Sequence, residues 1–381
     1  MEARRSRPPL RGLASCSASR AMAPARRWGT IEDQMRVLIA GGGTGGHLFP
    51  ALAVARAFHA EEPDGAVLLV GRAGGPGERL VPAAGFDLET VRVRGLDRDA
   101  PWKNLALPVL VPLALRAATR IVDRFRPDVV LGMGGYVMAP AVAAARRRRI
   151  PYVLHEKDVR PGLATRYFAP AAAAVCITLP GTENRLHGVR VELTGVPLRD
   201  GFVPRTPDVP PRRLLVTGGS QGARRLNEAV WSALDALCAR FEEVVHVAGP
   251  QGAEGIARHA RNRYSGFTFA DDMPSLMGRA DLIVSRAGVG TIAEATAVGL
   301  PMILVPGTFG GGHQEENALA MVDAGAAIRI ADGELTGETL VRAIAGLEDA
   351  RLRAMAAASA RSGRLDAAKR VLAVLHEVAR K

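Results

Sequence analysis

The chain has 381 residues, of which 48% are hydrophobic and 23% are charged. This length predicts two or three domains of roughly 150 residues each and leaves room for two hydrophobic cores. The composition is typical of a globular chain and excludes a mainly disordered protein, a collagen-like fibre and a disulfide scaffold.

The formal net charge of +12 favours phosphates, nucleic acid or anionic lipid as partners. Lysine supplies only four of the 50 basic residues, so the arginine excess indicates coding bias as much as a basic binding face. Aromatic residues make up 4%, nucleic-acid motifs are missing and the basic residues are spread widely. We therefore expect no nucleic-acid partner.

The cysteines Cys16, Cys176 and Cys238 are far apart, without the spacing of a metal or redox site. They favour a cytosolic chain with incidental thiols. The longest apolar run, 105–115, has eleven residues and contains two prolines. Because a membrane-spanning helix needs about 18 to 20 apolar residues, we expect contact with a membrane surface at most.

Residues 1–34 are rich in Arg, Ser, Ala and Pro and show no periodicity. We expect a disordered tail or a mis-assigned start, with Met22 or Met35 as the initiator. An organellar transit peptide is the alternative, since the segment lacks the apolar core of a secretion signal.

A strand–turn–helix rhythm begins at Met35. Apolar runs predict four buried strands, at 36–40, 67–70, 128–131 and 152–154. A helix is predicted at 50–60, with Pro50 at its first position. Continuous apolar strands that alternate with helices predict a parallel sheet covered on both faces.

The proline-rich segment 199–213 predicts a linker, after which the rhythm restarts with a helix at 225–238. Further strands are predicted at 214–217, 244–248, 282–285 and 302–305. The fold class is therefore α/β, with doubly wound domains at 35–198 and 214–381 that face across a deep cleft. The last helix is a candidate to pack back on the first domain.

A glycine-rich turn, GGGTGGHLFP at 41–50, follows the first strand. It matches a dinucleotide fingerprint, but Gly71 and Arg72 stand where that fingerprint needs an acidic residue. The turn therefore favours a pyrophosphate or another oxyanion at a helix N-terminus, or a tight turn alone. His47 lies at its mouth, where a base with a near-neutral pKa is useful, and we predict that it contacts substrate or catalyses.

The second domain begins with a similar turn, GGSQGARRLN at 218–227. Ser220 and Gln221 add hydroxyl and amide donors, which predicts a second phosphate site. Further along, the Glu294 carboxylate is suited to two ribose hydroxyls, and Gln314 and Asn317 are suited to sugar hydroxyls.

Acidic residues do not form a metal-binding cluster in the sequence. Asp271 and Asp272 are adjacent, but they follow a strand and precede a proline, which favours a helix cap. We expect neither a metal nor a cofactor.

Eight strings in order across 35–327 resemble the MurG family of peptidoglycan N-acetylglucosaminyltransferases. They are GGGTGGHLFPALAVA, PDVVLGMGGYVMAP, IPYVLHE, TGVPLRDGF, GGSQGARRLN, FADDM, SRAGVGTIAEATAVGLPMILVP and HQEENA. The resemblance implies the GT-B fold and an inverting, metal-independent transfer of GlcNAc from UDP-GlcNAc to the MurNAc 4-hydroxyl of lipid I, which forms lipid II. A GT-B glycosyltransferase with a different lipid or small-molecule acceptor is the alternative.

The resemblance also assigns roles to residues. It implies His47 or Glu156 as the catalytic base. Donor-binding residues would be Thr44, Gly45, Arg199, Ser220, Gln221, Ala270, Glu294, Gln314 and Asn317. Acceptor-binding residues would be Gly43, Thr44, Gly46, Tyr136 and Asp158. The chain departs from the family where HEQN becomes HEKD, with Lys157 and Asp158, and where 310–312 are glycines.

The lipid acceptor of the family implies a peripheral enzyme on the cytoplasmic face of the cell membrane, with other cell-wall synthesis proteins as further partners. An apolar helix face could dock on anionic inner-leaflet lipid, and a core helix is the alternative. Its residues would be Trp102, Leu105, Leu107, Val109, Leu110 and Leu113, beside Lys103, Arg116 and the arginines at 146–149.

Overall fold

The computed structural model describes residues 34–43, 45–95, 101–308 and 312–380, without the side chains of Pro101 and Lys103. The expectations for the tail at 1–33, for Thr44 and for the glycines at 310–311 lie outside these residues.

The first sheet has seven strands within the described residues, and its paired strands are parallel. They are β1 (Arg36–Ala40), β2 (Ala66–Arg72), β3 (Asp87–Val91), β4 (Val129–Gly132), β5 (Tyr152–Glu156), β6 (Ala174–Ile177) and β7 (Val191–Leu193), in the order β3-β2-β1-β4-β5-β6-β7. The helices of this part are α1 (Gly45–Glu61), α2 (Gly77–Ala83), α3 (Leu107–Phe125), α4 (Ala139–Arg148) and α5 (Leu163–Phe168).

The second sheet, in the described part of the chain, has six strands with parallel pairing. They are β8 (Arg213–Thr217), β9 (Glu243–Val247), β10 (Tyr264–Phe267), β11 (Leu282–Ser285), β12 (Met302–Leu304) and β13 (Ala327–Arg329), in the order β10-β9-β8-β11-β12-β13. The helices that follow β8 are α6 (Arg224–Ser232), α7 (Leu234–Arg240), α8 (Ala253–Arg258), α9 (Met273–Arg279), α10 (Val289–Val298), α11 (His313–Asp323), α12 (Gly337–Ala345), α13 (Asp349–Ser362) and α14 (Ala367–Ala379). Two doubly wound α/β sheets confirm the predicted fold class.

Two predicted helices differ from the structure. The first begins at Gly45, so Pro50 lies inside α1, where the missing N–H costs only one bond near the helix start. The predicted helix at 225–238 is divided into α6 and α7 around Ala233. Periodicity alone cannot detect such a break, because the buried positions continue across it.

The helix α3 and the turn before it form one long apolar stretch, 104–125. Its mean hydropathy of 1.7 and its 22 residues are enough to cross a membrane by length and composition. This is longer than the sequence pattern indicates, because the helix continues through Pro112. Its second half packs into the first domain through the buried residues Ala114, Ala118, Ile121, Val122 and Phe125. The helix therefore belongs to the first domain, where it connects β3 to β4.

The last helix returns to the first domain. Residues of α14 share a core with α1 and with strands of the first sheet, and the buried ones include Val371, Leu372 and Leu375. Arg190, beside β7, donates two hydrogen bonds of 2.7 Å to the carboxylate of Glu377. The chain thus crosses between the two domains twice.

The buried carboxylate of Asp281 holds the connecting segment on the second domain. It accepts hydrogen bonds from the guanidinium of Arg205 and from the backbone N–H groups of Asp208, Arg212 and Arg213. Burial alone would raise the pKa of Asp281, but these donors outweigh it and hold the pKa below its ordinary value. The segment from Arg205 onward is therefore tied to the second sheet.

A second buried group, the Asn317 amide on α11, joins the two domains directly. Its Oδ1 accepts from the backbone N–H of Val159, at 3.1 Å. Its Nδ2 donates to Oδ1 of Asp158, at 3.1 Å, and to the carbonyl of Ala287, at 3.3 Å. Asn317 is fully buried, and its amide oxygen and amide nitrogen both have protein hydrogen-bond partners.

We expect Asn317→Asp to destabilise the protein by about 2 kcal/mol or more. The new carboxylate would face two acceptors, Asp158 Oδ1 and the Ala287 carbonyl, without water. The measurement is the urea midpoint of the full chain.

Asp158→Asn keeps an acceptor oxygen toward Asn317 and should be nearly neutral, as should the exposed control Asn262→Asp. Combining Asn317→Asp with Asp158→Asn should recover part of the loss, since the new amide can donate to the new carboxylate. A single Asn317→Asp variant as stable as the parent would contradict this account of the contact.

Candidate active site

A cavity of about 230 Å³ lies between the two domains, beyond the carboxyl ends of both sheets. One wall comes from the start of α1 and from the turn after β5, and the other from the turn after β8 and from α10. Its lining includes Gly45, Gly46, Phe49, Lys157, Arg199, Thr217, Gly219, Ser220, Phe269, Ala270, Met273, Gly290, Thr291 and Glu294. Ligands of doubly wound sheets bind at this position.

The imidazole of His47 lies behind the glycine turn that lines this cavity. Its Nδ1 is 2.8 Å from the carbonyl oxygen of Met133. A carbonyl only accepts, so Nδ1 carries the proton and the neutral ring keeps a lone pair on Nε2. That atom faces Gly135, at which a Cβ would lie 3.4 Å from Nε2.

The same surroundings keep His47 neutral. Burial, and then the positive charge of Lys157, lower the pKa of His47 to about 4. The ring is therefore neutral at pH 7, and its pKa lies below the near-neutral value expected from the sequence, because the imidazole is desolvated. Gly134 and Gly135 both have positive φ, 84° and 69°, so side chains are disfavoured where the ring packs.

Glu156, the other predicted base, has a different environment. It is buried at the end of β5, and its carboxylate accepts from the backbone N–H groups of Asp158, at 3.2 Å, and Gly162, at 3.0 Å. Burial raises its pKa. Both oxygens thus hold the loop that carries Lys157 and Asp158.

The turn after β8 presents polar groups to the cavity. Gly222 has a φ of 72°, and a Cβ there would lie 2.1 Å from the carbonyl of Ala248, so only glycine fits. This tight packing leaves Ser220 and Gln221 exposed, and Ser220 lines the cavity. The N-cap residue of α6, Ala223, provides no side-chain cap, so the first N–H groups of that helix are available to an anion.

Arg199 and Glu294 meet on the second-domain side of the cavity. A guanidinium nitrogen of Arg199 lies 3.9 Å from Oε1 of Glu294, and another donates to the carbonyl of Asp271, at 3.4 Å. Burial raises the pKa of Glu294 to about 7, although Arg199 opposes that shift. The guanidinium also lies 5.9 Å from the ring centroid of Phe49 on α1, so it spans the two domains.

Other predicted residues lie around the cavity instead of lining it. Tyr136 is 38% exposed, and a Cβ on Gly43 would lie 3.7 Å from its hydroxyl. Gln314 accepts from the backbone N–H of Gly307, at 2.8 Å. Asp158 and Asn317 are engaged with each other, and the two therefore meet as an interdomain contact.

Sequence reasoning missed several lining residues. Phe49 and Phe269 are large, exposed apolar side chains at the cavity, with 44% and 58% of their surface accessible. Lys157 also lines the cavity. The sequence feature that could have identified it is the lysine at the position where the family motif HEQN has glutamine.

Asp272 caps α9 by accepting from the N–H of Ser275, which confirms the predicted helix cap. Among the described residues, no three His, Cys, Asp or Glu side chains are grouped to hold a metal ion.

Comparison with known proteins places the chain. Residues 37–177 match the glycosyltransferase family 28 N-terminal domain, and residues 213–371 match the C-terminal domain of that family. A protein of Nocardioides sp. named UDP-N-acetylglucosamine–N-acetylmuramyl-(pentapeptide) pyrophosphoryl-undecaprenol N-acetylglucosamine transferase is 40% identical over 364 residues, 90% of this chain and 98% of that protein. The protein of the same name from Mycobacterium tuberculosis is 40% identical over 387 residues, 95% of this chain and 93% of that protein.

Solved structures agree. The crystal structure of Acinetobacter baumannii MurG superposes with a TM-score of 0.73 at 28% identity, covering 90% of this chain and 99% of that one. The calicheamicin glycosyltransferase CalG4 has a TM-score of 0.67 at 19% identity, with 91% and 99% covered, which supports the fold alone. The chain therefore belongs to the MurG family of N-acetylglucosamine transferases, within glycosyltransferase family 28.

Proposed function

We propose that this chain transfers GlcNAc from UDP-GlcNAc to the 4-hydroxyl of the MurNAc sugar of lipid I, with inversion, and so forms lipid II and UDP. The observation that carries the proposal is the interdomain cavity, which brings Ser220 and Glu294 of the second domain opposite the glycine turn of the first. Family membership supports the same reaction.

The donor occupies the second-domain wall. Ser220 and the first N–H groups of α6 hold the diphosphate, since helix N-termini favour anions. The Glu294 carboxylate accepts hydrogen bonds from the ribose hydroxyls, and the backbone of Ala270 contacts the uracil. Gln314 contacts the sugar through its amide nitrogen, because its oxygen already accepts from Gly307.

His47 is the base. Its Nε2 lone pair is free of the Met133 contact, whereas both carboxylate oxygens of Glu156 are held by backbone N–H groups. The acceptor 4-hydroxyl gives its proton to Nε2 as its oxygen attacks the anomeric carbon from the face opposite UDP. The charge that develops on UDP is stabilised by Ser220 and the helix N–H groups.

The site of membrane contact is the first half of α3 and the turn before it. Its large apolar side chains are exposed: Trp102, Leu105, Val109, Val111 and Leu113. Leu107 and Leu110, which the sequence pattern placed on this face, are partly covered. An exposed apolar surface of this kind on a folded domain marks an interaction site.

Basic residues adjoin that surface. A groove between α3 and α4 is lined by Arg116, Arg120 and Arg147 together with Val111 and Leu115. Apolar side chains beside arginines suit the boundary between acyl chains and anionic headgroups. We therefore place the enzyme peripherally on the cytoplasmic face of the membrane, where the polyprenyl tail of its acceptor is anchored.

The test of the function is UDP release from UDP-GlcNAc by purified protein in EDTA, with and without a lipid I analogue. We expect release that depends on the acceptor. His47→Ala should lower kcat by about 100-fold or more while UDP binding persists, because only the proton acceptor is lost.

The exposed His187→Ala is the matched control and should behave as the parent. Glu156→Gln should mainly lower the thermal stability of the protein, since it weakens the hydrogen bonds that hold the loop after β5. UDP binding without release on lipid I would support a GT-B enzyme with another acceptor. A His47→Ala variant with parental kcat would remove the assignment of the base.

A pH dependence follows from Glu294. Its pKa of about 7 means that the carboxylate is protonated below this pH and charged above it. The charged form accepts from two ribose hydroxyls, so KM for UDP-GlcNAc should fall as the pH rises through about 7. Glu294→Gln should raise KM about tenfold and flatten this dependence. The same slope in the variant would contradict the role of Glu294.

Membrane docking is tested with Leu105→Asp combined with Val109→Asp. These positions are 81% and 64% exposed, so folding should be unaffected, while binding to vesicles with anionic lipid should fall about tenfold or more. The control pair, Val203→Asp with Leu365→Asp, changes exposed apolar residues elsewhere and should bind as the parent. Equal vesicle binding by both pairs would exclude this surface.

A further inference from the structure

Lys157 brings a positive charge from the first domain into the cavity. It follows β5 in the loop held by Glu156, and its side chain is half-buried. It lines the same cavity as Gly219 and Ser220, which belong to the turn of the opposite domain. It is also near enough to His47 to lower the pKa of that ring.

The charges in the cavity are unbalanced around Lys157. The charged residues among its lining are Lys157, Arg199 and Glu294. Arg199 is occupied, with Glu294 at 3.9 Å and the carbonyl of Asp271 at 3.4 Å. Among the contacts of the described residues, Lys157 has neither an ion pair nor a hydrogen bond. A half-buried ammonium without an ion-pair partner favours an anion in the cavity.

We propose that Lys157 binds the β-phosphate of the donor and stabilises it as UDP departs. This inference rests on the proposed function. As the bond between the acceptor oxygen and the anomeric carbon forms, the bond between that carbon and the β-phosphate oxygen breaks. The proton goes to His47, the electron pair stays on the phosphate, and Lys157 remains protonated throughout.

The position of Lys157 on the first-domain wall explains what its charge adds to diphosphate binding. The second domain supplies Ser220 and backbone N–H groups to the diphosphate, all of them neutral donors. Lys157 adds a full positive charge from the other side, which attracts the phosphate charge directly and offsets the negative charge that grows on it. The family that the chain resembles has glutamine at this place in HEQN, so the contact would be particular to chains with HEKD.

Lys157 also links the leaving group to the base. Its charge disfavours protonation of His47 while the cavity is empty. A diphosphate beside Lys157 offsets that charge, so His47 accepts a proton more readily when the donor is bound. Donor binding and base strength are thereby coupled through one side chain.

The experiment compares UDP with UMP, which lacks the β-phosphate. Lys157→Met should raise the Kd of UDP about tenfold or more and leave the Kd of UMP unchanged. Lys157→Arg, which keeps the charge, should retain most of the UDP affinity. Lys369→Met removes the same charge from an exposed position on α14 and should leave both affinities unchanged. Calorimetry on the full chain supplies the Kd values, and kcat of the Lys157→Met variant should fall as well.

Equal affinity of the parent and Lys157→Met for UDP would overturn the inference. So would a raised KM for lipid I with unchanged UDP affinity, which would place Lys157 on the acceptor. Either result leaves the proposed function standing as long as the parent releases UDP on lipid I. A parent that binds neither UDP nor UMP would instead remove the proposed function.

Discussion

The buried amide of Asn317 is a desolvated hydrogen-bonded link between the two domains, and the candidate site lies between them. Two of its hydrogen bonds tie α11 of the second domain to the loop after β5 of the first, and the third, to the carbonyl of Ala287, stays within the second domain. The same loop carries Lys157, and Glu156 supports it from within. Neither sheet alone encloses the cavity, since its walls come from both. A desolvated polar contact of this kind is costly to break, which makes the spacing specific.

Two groups with shifted pKa values lie on opposite sides of the cavity, His47 behind the glycine turn of the first domain and Glu294 in the lining of the second. His47 is neutral because burial desolvates the ring and the charge of Lys157 disfavours its protonation. The carbonyl of Met133 sets its tautomer. Glu294 lies on the other wall, where burial keeps its carboxyl near the midpoint of its titration at neutral pH. In the proposed reaction, His47 accepts the proton and Glu294 accepts from the ribose hydroxyls, which suits a sugar nucleotide held by the second domain and attacked from the first.

Much of this arrangement was predictable from local patterns. The apolar runs at β1, β8 and β11 are short and continuous. Such runs are typical of strands that are buried on both faces of a sheet. Glycine turns after β1 and β8 indicated two anion sites. The structure adds a packing reason for one of these glycines, since a Cβ at Gly222 would collide with the carbonyl of Ala248. Five strands were not predicted: β3, β6, β7, β10 and β13. Four of them are edge strands of three to five residues with mixed burial, and β6 is a buried run of only four residues.

Side-chain roles were less accessible, because they depend on residues far apart in the chain. Asn317 and Asp158 were predicted to contact different sugars, yet they hydrogen-bond to each other across 159 residues. Glu156 and His47 were equivalent candidates by residue type, and only their backbone partners distinguish them. The sequence by itself determined the two α/β domains, the glycine turns and the family, since these follow from periodicity and local motifs. Only the tertiary structure decided which groups stay free to react, because burial and hydrogen-bond partners are set by long-range packing.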